Sequence, residues 1–485
     1  MLPGPQLIAV AGRVSLNATE RERHVVPLLF RNVSPGLNET DIRRMPHNCQ
    51  KRRPRPDTGL HYRSAAAEFC GPFGKAASIW PAAGIAFAES SAGARKVRPR
   101  ANSNMTVQFI TTWQELAELE LPWRELDNGV PFRSWDWLAV WWKHYGAGEQ
   151  SRRDKPAGSL SSERQLYVLA VYGGDGRLLG IAPWYLDRTV VKGNILRWLG
   201  SGEVCTDHLS LVCRPEHQEQ VAAEIADTLT SRCDDWDRLD LNAVDAEDTA
   251  ITKLVAALEE RDCLASRHAA DGCWSLDLPA DWEDYLASIS KSHRKQLRQL
   301  ERRVLDSPRV KWHVATSAAE LDAAWPVLVD LHQRRRRSLG EPGCFASRAF
   351  HEFHREVAGR FLDRGQLRVS WLELDGTVAA AEYHLADGTA TYAYQGGVDP
   401  ERLHEEPGRL STILCLRRAI DEGHAQFDFL RGDEPYKAHW RAVARPTYDC
   451  RIVPNRRLAR LRGRAVNLAG AMADRMRPGA GRLTK

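Results

Sequence analysis

The chain has 485 residues, 43% of them hydrophobic and 16 of them Trp, which is material for two to three packed domains. Its net charge of +5 hides a contrast: residues 1–104 and 451–485 carry +9 each, so residues 105–450 stand at −13. An acidic body of that kind excludes a broad nucleic-acid footprint, and no specific nucleic-acid partner is expected.

Residues 1–104 are rich in Pro, Arg, Ser, Ala and Asn, hold the basic cluster KRRPRP at Lys51–Pro56 and show no sustained period. They read as a disordered basic extension, or as sequence ahead of a true start at Met105, where patterning begins with MTVQFITTWQELAELE. A first domain is predicted over 105–280. It holds the strand run QLYVLAVY, a turn at Asp175-Gly176, the runs RLLGIAPWYL and ILRWLG, a helix over Glu216–Cys233 and the strand DRLDLN.

A second domain is predicted over 281–450, opening on a helix from Asp281 to Val304 with Leu286, Ile289, Leu297, Leu300 and Val304 inward and a basic outer face. The run Arg334–Arg337 precedes GEPG, which leaves those arginines either solvated or in contact with an anion beside a loop. The first domain's order then recurs: LRVSWLEL, Asp375-Gly376, TVAAAEYHL, Asp387-Gly388, TATYAYQGG, a helix over Gly408–Glu422 and the strand AQFDFL. Two copies of one unit, with hairpins and helices alternating, predict an α/β (α+β) fold in which each copy is a mixed, mostly antiparallel sheet flanked by helices. Residues 451–485 form a basic tail suited to a membrane surface or a partner, such as an export complex.

Ten cysteines without a CxxC pair or a Cys/His cluster predict reduced thiols, no disulfide framework and no metal. No window approaches 18 consecutive apolar residues, and MLPGPQLIAVAGRV lacks a basic segment followed by a long apolar one, so a cytoplasmic protein is expected. Ionisable groups crowd into Phe427–Lys437, FDFLRGDEPYK. Phe427 and Phe429 share one strand face and Asp428 the other, after which Arg431, Asp433, Tyr436 and Lys437 follow in a loop punctuated by Gly432 and Pro435. Such a strand end predicts a site; the structural alternative is an Asp428–Arg431 salt bridge that holds the loop.

With PFRSWDWLAVWWKHYG at Pro131, GIAPWYL at Gly180, LGSGEVCTDHLSL at Leu199, SKSHRKQLRQLERR at Ser290, LHQRRRRSLGEPGCF at Leu331 and YAYQGGVDP at Tyr392, residues 110–450 resemble a known family. It is the GNAT-superfamily acetyltransferase family associated with bacterial cellulose and other exopolysaccharide biosynthesis, itself similar to Fem-type aminoacyl transferases. The resemblance implies tandem GNAT-like domains, with acetyl-CoA (acyl-CoA) as co-substrate of the second copy. The donor would lie against a splayed strand and its pyrophosphate on amides at a helix start, which places donor contacts at Gln395, Gly396, Gly397, Gly408, Arg409 and Leu410. The helix start reads HEEPGRLSTILCL and departs from the usual Q/RxxGxG/A phosphate loop.

Acyl transfer from a thioester needs a base, an oxyanion donor and a proton for the leaving thiolate. Glu382, mid-strand in an apolar run, is the general base if desolvation lifts its pKa, and an ordinary surface carboxylate if it faces solvent; His384 shares its face as the reserve. Tyr436 suits protonation of the thiolate and Lys437 the carbonyl oxygen or an anionic group, a Tyr-Lys pair also being a feature of Fem-type relatives. Asp428, Arg431 and Asp433 are candidates either to orient these groups or to contact acceptor hydroxyls. The first copy lacks Tyr-Lys and Gly-Gly and is expected to have lost donor binding, leaving the acceptor to the groove between copies, which Asp207 and His208 would face unless they are ordinary loop residues. The expected activity is transfer of an acetyl or acyl group from acyl-CoA to an amine or hydroxyl of a sugar or amino-sugar derivative. The alternatives are a Fem-like transferase that uses aminoacyl-tRNA and a non-catalytic scaffold subunit of a polysaccharide export system.

Overall fold

The computed structural model describes residues 104–146, 163–189 and 192–463, so the expectations for 1–103 and for the tail after 463 lie outside the described residues. The described strands are β1 (Thr106–Ile110), β2 (Glu163–Leu166), β3 (Val168–Tyr172), β4 (Leu178–Ala182), β5 (Trp184–Thr189), β6 (Gly193–Trp198), β7 (Val212–Cys213), β8 (Arg238–Asp245), β9 (Leu264–Asp277), β10 (Val310–Val314), β11 (Leu367–Leu374), β12 (Thr377–Ala386), β13 (Ala390–Val398), β14 (Gln426–Arg431) and β15 (Val443–Val453). They build a four-stranded sheet, β1-β3-β4-β7, and an eleven-stranded sheet, β10-β11-β12-β13-β14-β9-β15-β8-β6-β5-β2.

Every neighbouring pair is antiparallel except β6–β8 and β13–β14. Parallel neighbours need a crossover, and each pair has one built on a helix, Gln218–Ser231 in the first half and Pro407–Asp421 in the second. The mixed, mostly antiparallel α/β architecture and its internal repetition are as the sequence predicts. The two halves share one sheet, however, because they exchange strands. β9 follows β8 in the chain yet pairs with β14, while β15 follows β14 and pairs with β8. The boundary at 280/281 therefore divides chain segments and not separable sheets.

Three local expectations change. QLYVLAVY and RLLGIAPWYL each break, at Tyr167 and at Pro183, and send one piece to each sheet; Pro183 has no N–H to continue a ladder. The Asp281–Val304 helix is interrupted at Ile289, and Ser290 caps a new helix, Lys291–Leu300, by accepting from His293 N at 3.3 Å. The helix before GEPG, Ala318–Ser338, runs through the arginines, and Arg334 pairs with Asp399 at 2.7 Å while Arg336 pairs with Glu341. Those two guanidiniums are occupied by carboxylates of the chain.

Apolar packing sets the second half's geometry. Leu297 and Leu300 of one helix, Leu410, Ile413 and Leu416 of another, and Phe427, Phe429 and Trp440 form one buried cluster. At about 1.5–3 kcal/mol for each large side chain withdrawn from water, this cluster anchors both helices against β14.

Candidate functional site

β13 and β14 run side by side for three positions only, Ala390 opposite Gln426, Thr391 opposite Phe427 and Tyr392 opposite Asp428, and then part. Leu430 turns β14 away with φ +59°, its amide bonded to Asp428 Oδ1 at 2.7 Å, and the strand bulges against β9 between Asp428 and Arg431. A cavity of about 230 Å³ opens in the resulting wedge. Glu382 and His384 of β12, Tyr394, Gln395 and Gly396 of β13, and Arg431, Tyr436 and Lys437 beyond β14 all line it.

Glu382 is 3% exposed, so it is the desolvated carboxylate and not the surface one. It stands opposite Gly396 across the β12–β13 ladder, and a Cβ at Gly396 would come within 2.4 Å of Glu382 Oε2. The glycine is what gives the carboxylate room. Oε2 lies 3.4 Å from His384 Nε2, and Oε1 is buried without a hydrogen-bond partner. Burial disfavours charge on His384, but the neighbouring Cys415 and the Glu382 carboxylate outweigh it and raise the imidazole to about 10.

The Phe427–Lys437 residues divide. Tyr436 lines the cavity, packed edge-on against Phe429 with ring centroids 6.0 Å apart. Lys437 also lines it, but its ammonium donates to the carbonyl oxygens of Leu430, Arg431 and Gly432 at 3.1, 2.9 and 3.0 Å and lies 2.9 Å from Glu434 Oε2. With three hydrogens committed to its own loop, Lys437 shapes the wall, which corrects its expected contact with a carbonyl oxygen or anion. Asp428 is buried and accepts from Leu430 N and from His208, so it makes neither the acceptor contact nor the salt bridge to Arg431. Asp433 is exposed, accepts from Trp274 Nε1 at 3.1 Å and is not part of the cavity lining. Arg431 does line the cavity, with Nε donating to Asp207 Oδ1 at 2.7 Å and Nη2 to Thr206 O at 3.2 Å.

The expected donor contacts also divide. Gln395 and Gly396 line the wedge, whereas a Cβ on Gly397 would meet His332 N at 2.4 Å, so Gly397 serves the close approach of the Ala318–Ser338 helix to β13. Leu410 is fully buried among apolar side chains. At the start of the Pro407–Asp421 helix, Gly408 and Arg409 precede the first intrahelical bond, which runs from Leu410 N to Glu406 O at 3.1 Å. Arg409 spends one nitrogen on Glu406, while its Nε and Nη2 are buried without a partner. His293 and His439 lie against each other beside this cation, ring centroids 3.9 Å apart and planes tilted by 43°. Burial, then His439 and Arg409, lower His293 to about 4, and its Nε2 is also without a partner. Three cationic or protonatable groups thus converge with unused donors at a helix N-terminus, an arrangement that suits a phosphate.

Asp207 and His208 prove to be the junction between halves. His208 is held by Asp245 at 2.9 Å through Nδ1 and by Asp428 at 3.1 Å through Nε2. Both acceptors are carboxylates, so both ring nitrogens carry protons. Burial opposes that charge, Asp428 and Asp245 outweigh it, and the imidazole stays protonated well above its ordinary range. His208, Asp245 and Cys273 have ligand atoms within 4.8 Å of one another, but the two carboxylate bonds leave His208 no lone pair for an ion. A second cavity of about 370 Å³ follows the parallel β6–β8 pair, touches Ser201, Asn242 and Asp449, and meets the wedge at Cys205, Asp271 and Arg431. A cavity of about 900 Å³ is lined by first-half residues and by Val443, Ala444, Arg445 and Pro446 of β15, and shares His208 and Asp245 with this region.

Sequence reasoning missed His332, Cys344, Tyr394 and His293 as parts of the site. For His332 and Cys344 the available signal was a helix running into the turn GEPGC, which folds the cysteine back onto the helix. Among the described helices none is long and apolar enough to cross a membrane.

Residues 291–438 match the family model of the acetyltransferase (GNAT) domain. No curated protein matches the chain. Among solved structures, FemX is 12% identical over 71% of this chain and 96% of its own, with a TM-score of 0.48. A tandem GNAT protein from the clavulanic acid biosynthesis pathway is 14% identical over 72% of this chain and 98% of its own, with a TM-score of 0.37. A conserved protein of unknown function from Bacteroides thetaiotaomicron is 10% identical over 71% of this chain and 100% of its own, with a TM-score of 0.39.

Proposed function

We propose, from the premise that residues 291–438 are a GNAT-type acetyltransferase domain and the chain an acyltransferase, that it moves an acetyl or acyl group from acyl-CoA to an amine or hydroxyl of a sugar or amino-sugar derivative, in exopolysaccharide or cell-envelope biosynthesis. The observation that carries this reading is the wedge between β13 and β14, in which a buried carboxylate with an unused oxygen and a phenol share one lining.

In this reading the donor's pantetheine arm follows the open edge of β13 past Gln395 and Gly396, and its phosphates meet the helix start at Gly408 and Arg409, with His293 and His439 beside them. Acyl-CoA supplies an activated carbonyl and a thiolate leaving group. The acceptor enters from the second cavity, between Asp271 and Arg431, and Glu382 removes its proton. Tyr436 gives the thiolate a proton. Arg431, fixed by Asp207, positions the wall that both cavities share.

Three outcomes follow. Tyr436→Phe is expected to lower kcat by about 10²-fold with donor affinity unchanged, since it removes one proton donor and no packing; steady-state kinetics beside calorimetry reads both, and an unchanged kcat removes Tyr436 from the chemistry. Arg409→Ala is expected to weaken acetyl-CoA by about 10-fold to 100-fold, the worth of charge-assisted hydrogen bonds. Because His293 is neutral at pH 5–6 when alone and an anion beside it favours its protonated form, donor binding takes up a proton there and tightens as pH falls from 7 to 5. Binding heats that do not vary with the ionisation enthalpy of the buffer, in wild type and Arg409→Ala alike, place the phosphates elsewhere.

A further inference from the structure

We propose that Cys344 is a nucleophile of this site and that the acyl group rests on its sulfur before it reaches the acceptor. The acyl source in this inference rests on the acyl-CoA reading above; the activated thiol does not.

His332, 1% exposed, projects from the Ala318–Ser338 helix where Gly397 lets the helix touch β13. Its Nδ1 lies 3.1 Å from Gly396 O, and a carbonyl only accepts, so the ring proton sits on Nδ1. Nε2 faces Cys344 Sγ at 3.3 Å. Nucleophile, base and orienting group stand in the order that activates a thiol.

The turn that presents Cys344 is held from the same helix. Gly343 takes φ +73°, Gln333 Nε2 donates to Pro342 O at 3.0 Å, and Arg336 pairs with Glu341. Cys344 lines the wedge cavity together with Glu382 and Tyr436. A separate observation marks that cavity as a ligand site: Glu382, 3% exposed, has an Oε1 with no hydrogen-bond partner among the described residues. Gly396 links the two functions, since its carbonyl orients His332 and its missing side chain admits Glu382.

The steps balance. Cys344 Sγ bonds to the carbonyl carbon as the donor's C–S bond breaks, and the thiol proton passes to His332 Nε2 and from there, through Tyr436, to the departing thiolate. In the second step the acceptor nitrogen or oxygen bonds to the carbonyl carbon as the Cys344 C–S bond breaks, and the proton that Glu382 takes from the acceptor restores the Cys344 thiol.

Full-length protein is incubated with radiolabelled acetyl-CoA without acceptor, quenched in acid and mapped by mass spectrometry; a parallel sample is alkylated with iodoacetamide. The expected result is acetyl on Cys344, released by hydroxylamine and absent in Cys344→Ala, with Cys344 alkylating about tenfold faster than Cys205, the exposed thiol of the same cavity, and losing that advantage in His332→Gln. Acetyl-CoA that binds calorimetrically yet leaves Cys344 unlabelled, with Cys344 alkylating no faster than Cys205, overturns the nucleophile and spares the donor reading. If acetyl-CoA gives no heat, the donor reading falls and alkylation decides alone: fast, His332-dependent reaction supports a nucleophile for another thioester, and slow reaction overturns it.

Discussion

Glu382→Gln is expected to lower turnover by about 10²-fold to 10⁴-fold, the range for loss of a positioned general base, with acetyl-CoA affinity within a few-fold of wild type. The replacement has nearly the same shape, which matters because the side chain sits where even a methyl group on Gly396 would come within 2.4 Å of Oε2. What changes is charge. The amide takes no proton from the acceptor, and His384, raised to about 10 by Cys415 first and by Glu382 second, loses the second of these, so its titration moves down. Rate and imidazole titration, followed by steady-state kinetics and NMR, are therefore coupled outcomes. A variant that keeps more than a tenth of the wild-type rate shows that the acceptor's proton goes to another group.

Lys437→Ala is expected to cost about 3–5 kcal/mol of stability, the cost of leaving the partner of a buried ion pair uncompensated. The residue is 2% exposed, and its removal strands three carbonyl oxygens and the Glu434 carboxylate in the wall of the wedge. Lys437→Met restores volume without the hydrogen bonds and is expected to lose nearly as much, whereas Lys437→Met with Glu434→Gln recovers part of the loss because the unpaired charge is gone. Urea denaturation midpoints measure all three. A loss below about 1 kcal/mol for Lys437→Ala, as for an exposed pair, contradicts the locking role.

The legible parts of this chain were those with local signatures. Asp-Gly turns and alternating apolar runs marked β11–β13, and the Pro407–Asp421 helix and β14 stand within a residue or two of their predicted places. Glu382 and Tyr436, both on the wedge lining, stood out because a lone carboxylate in an apolar strand and a phenol after a strand end are visible without coordinates. Long-range pairing was not visible. That β15 pairs with β8 and β9 with β14 depends on strands of compatible pattern choosing partners across the chain, which no period encodes. Lys437 was misassigned for a related reason: a lysine that caps three carbonyls reads the same as one that awaits an anion. Asp207, His208 and Arg431 carry the junction through ion pairs spanning more than 200 residues, and only the fold brings them together.

The central claim, a thioester donor seated between β13 and β14, is tested most directly by isothermal titration of the full chain with acetyl-CoA and, separately, with aminoacyl-tRNA. The account predicts saturable heat with acetyl-CoA at one site per chain, weakened in Arg409→Ala, and none with aminoacyl-tRNA. Heat with aminoacyl-tRNA alone, or an acetyl-CoA isotherm that Arg409→Ala leaves unchanged, contradicts it.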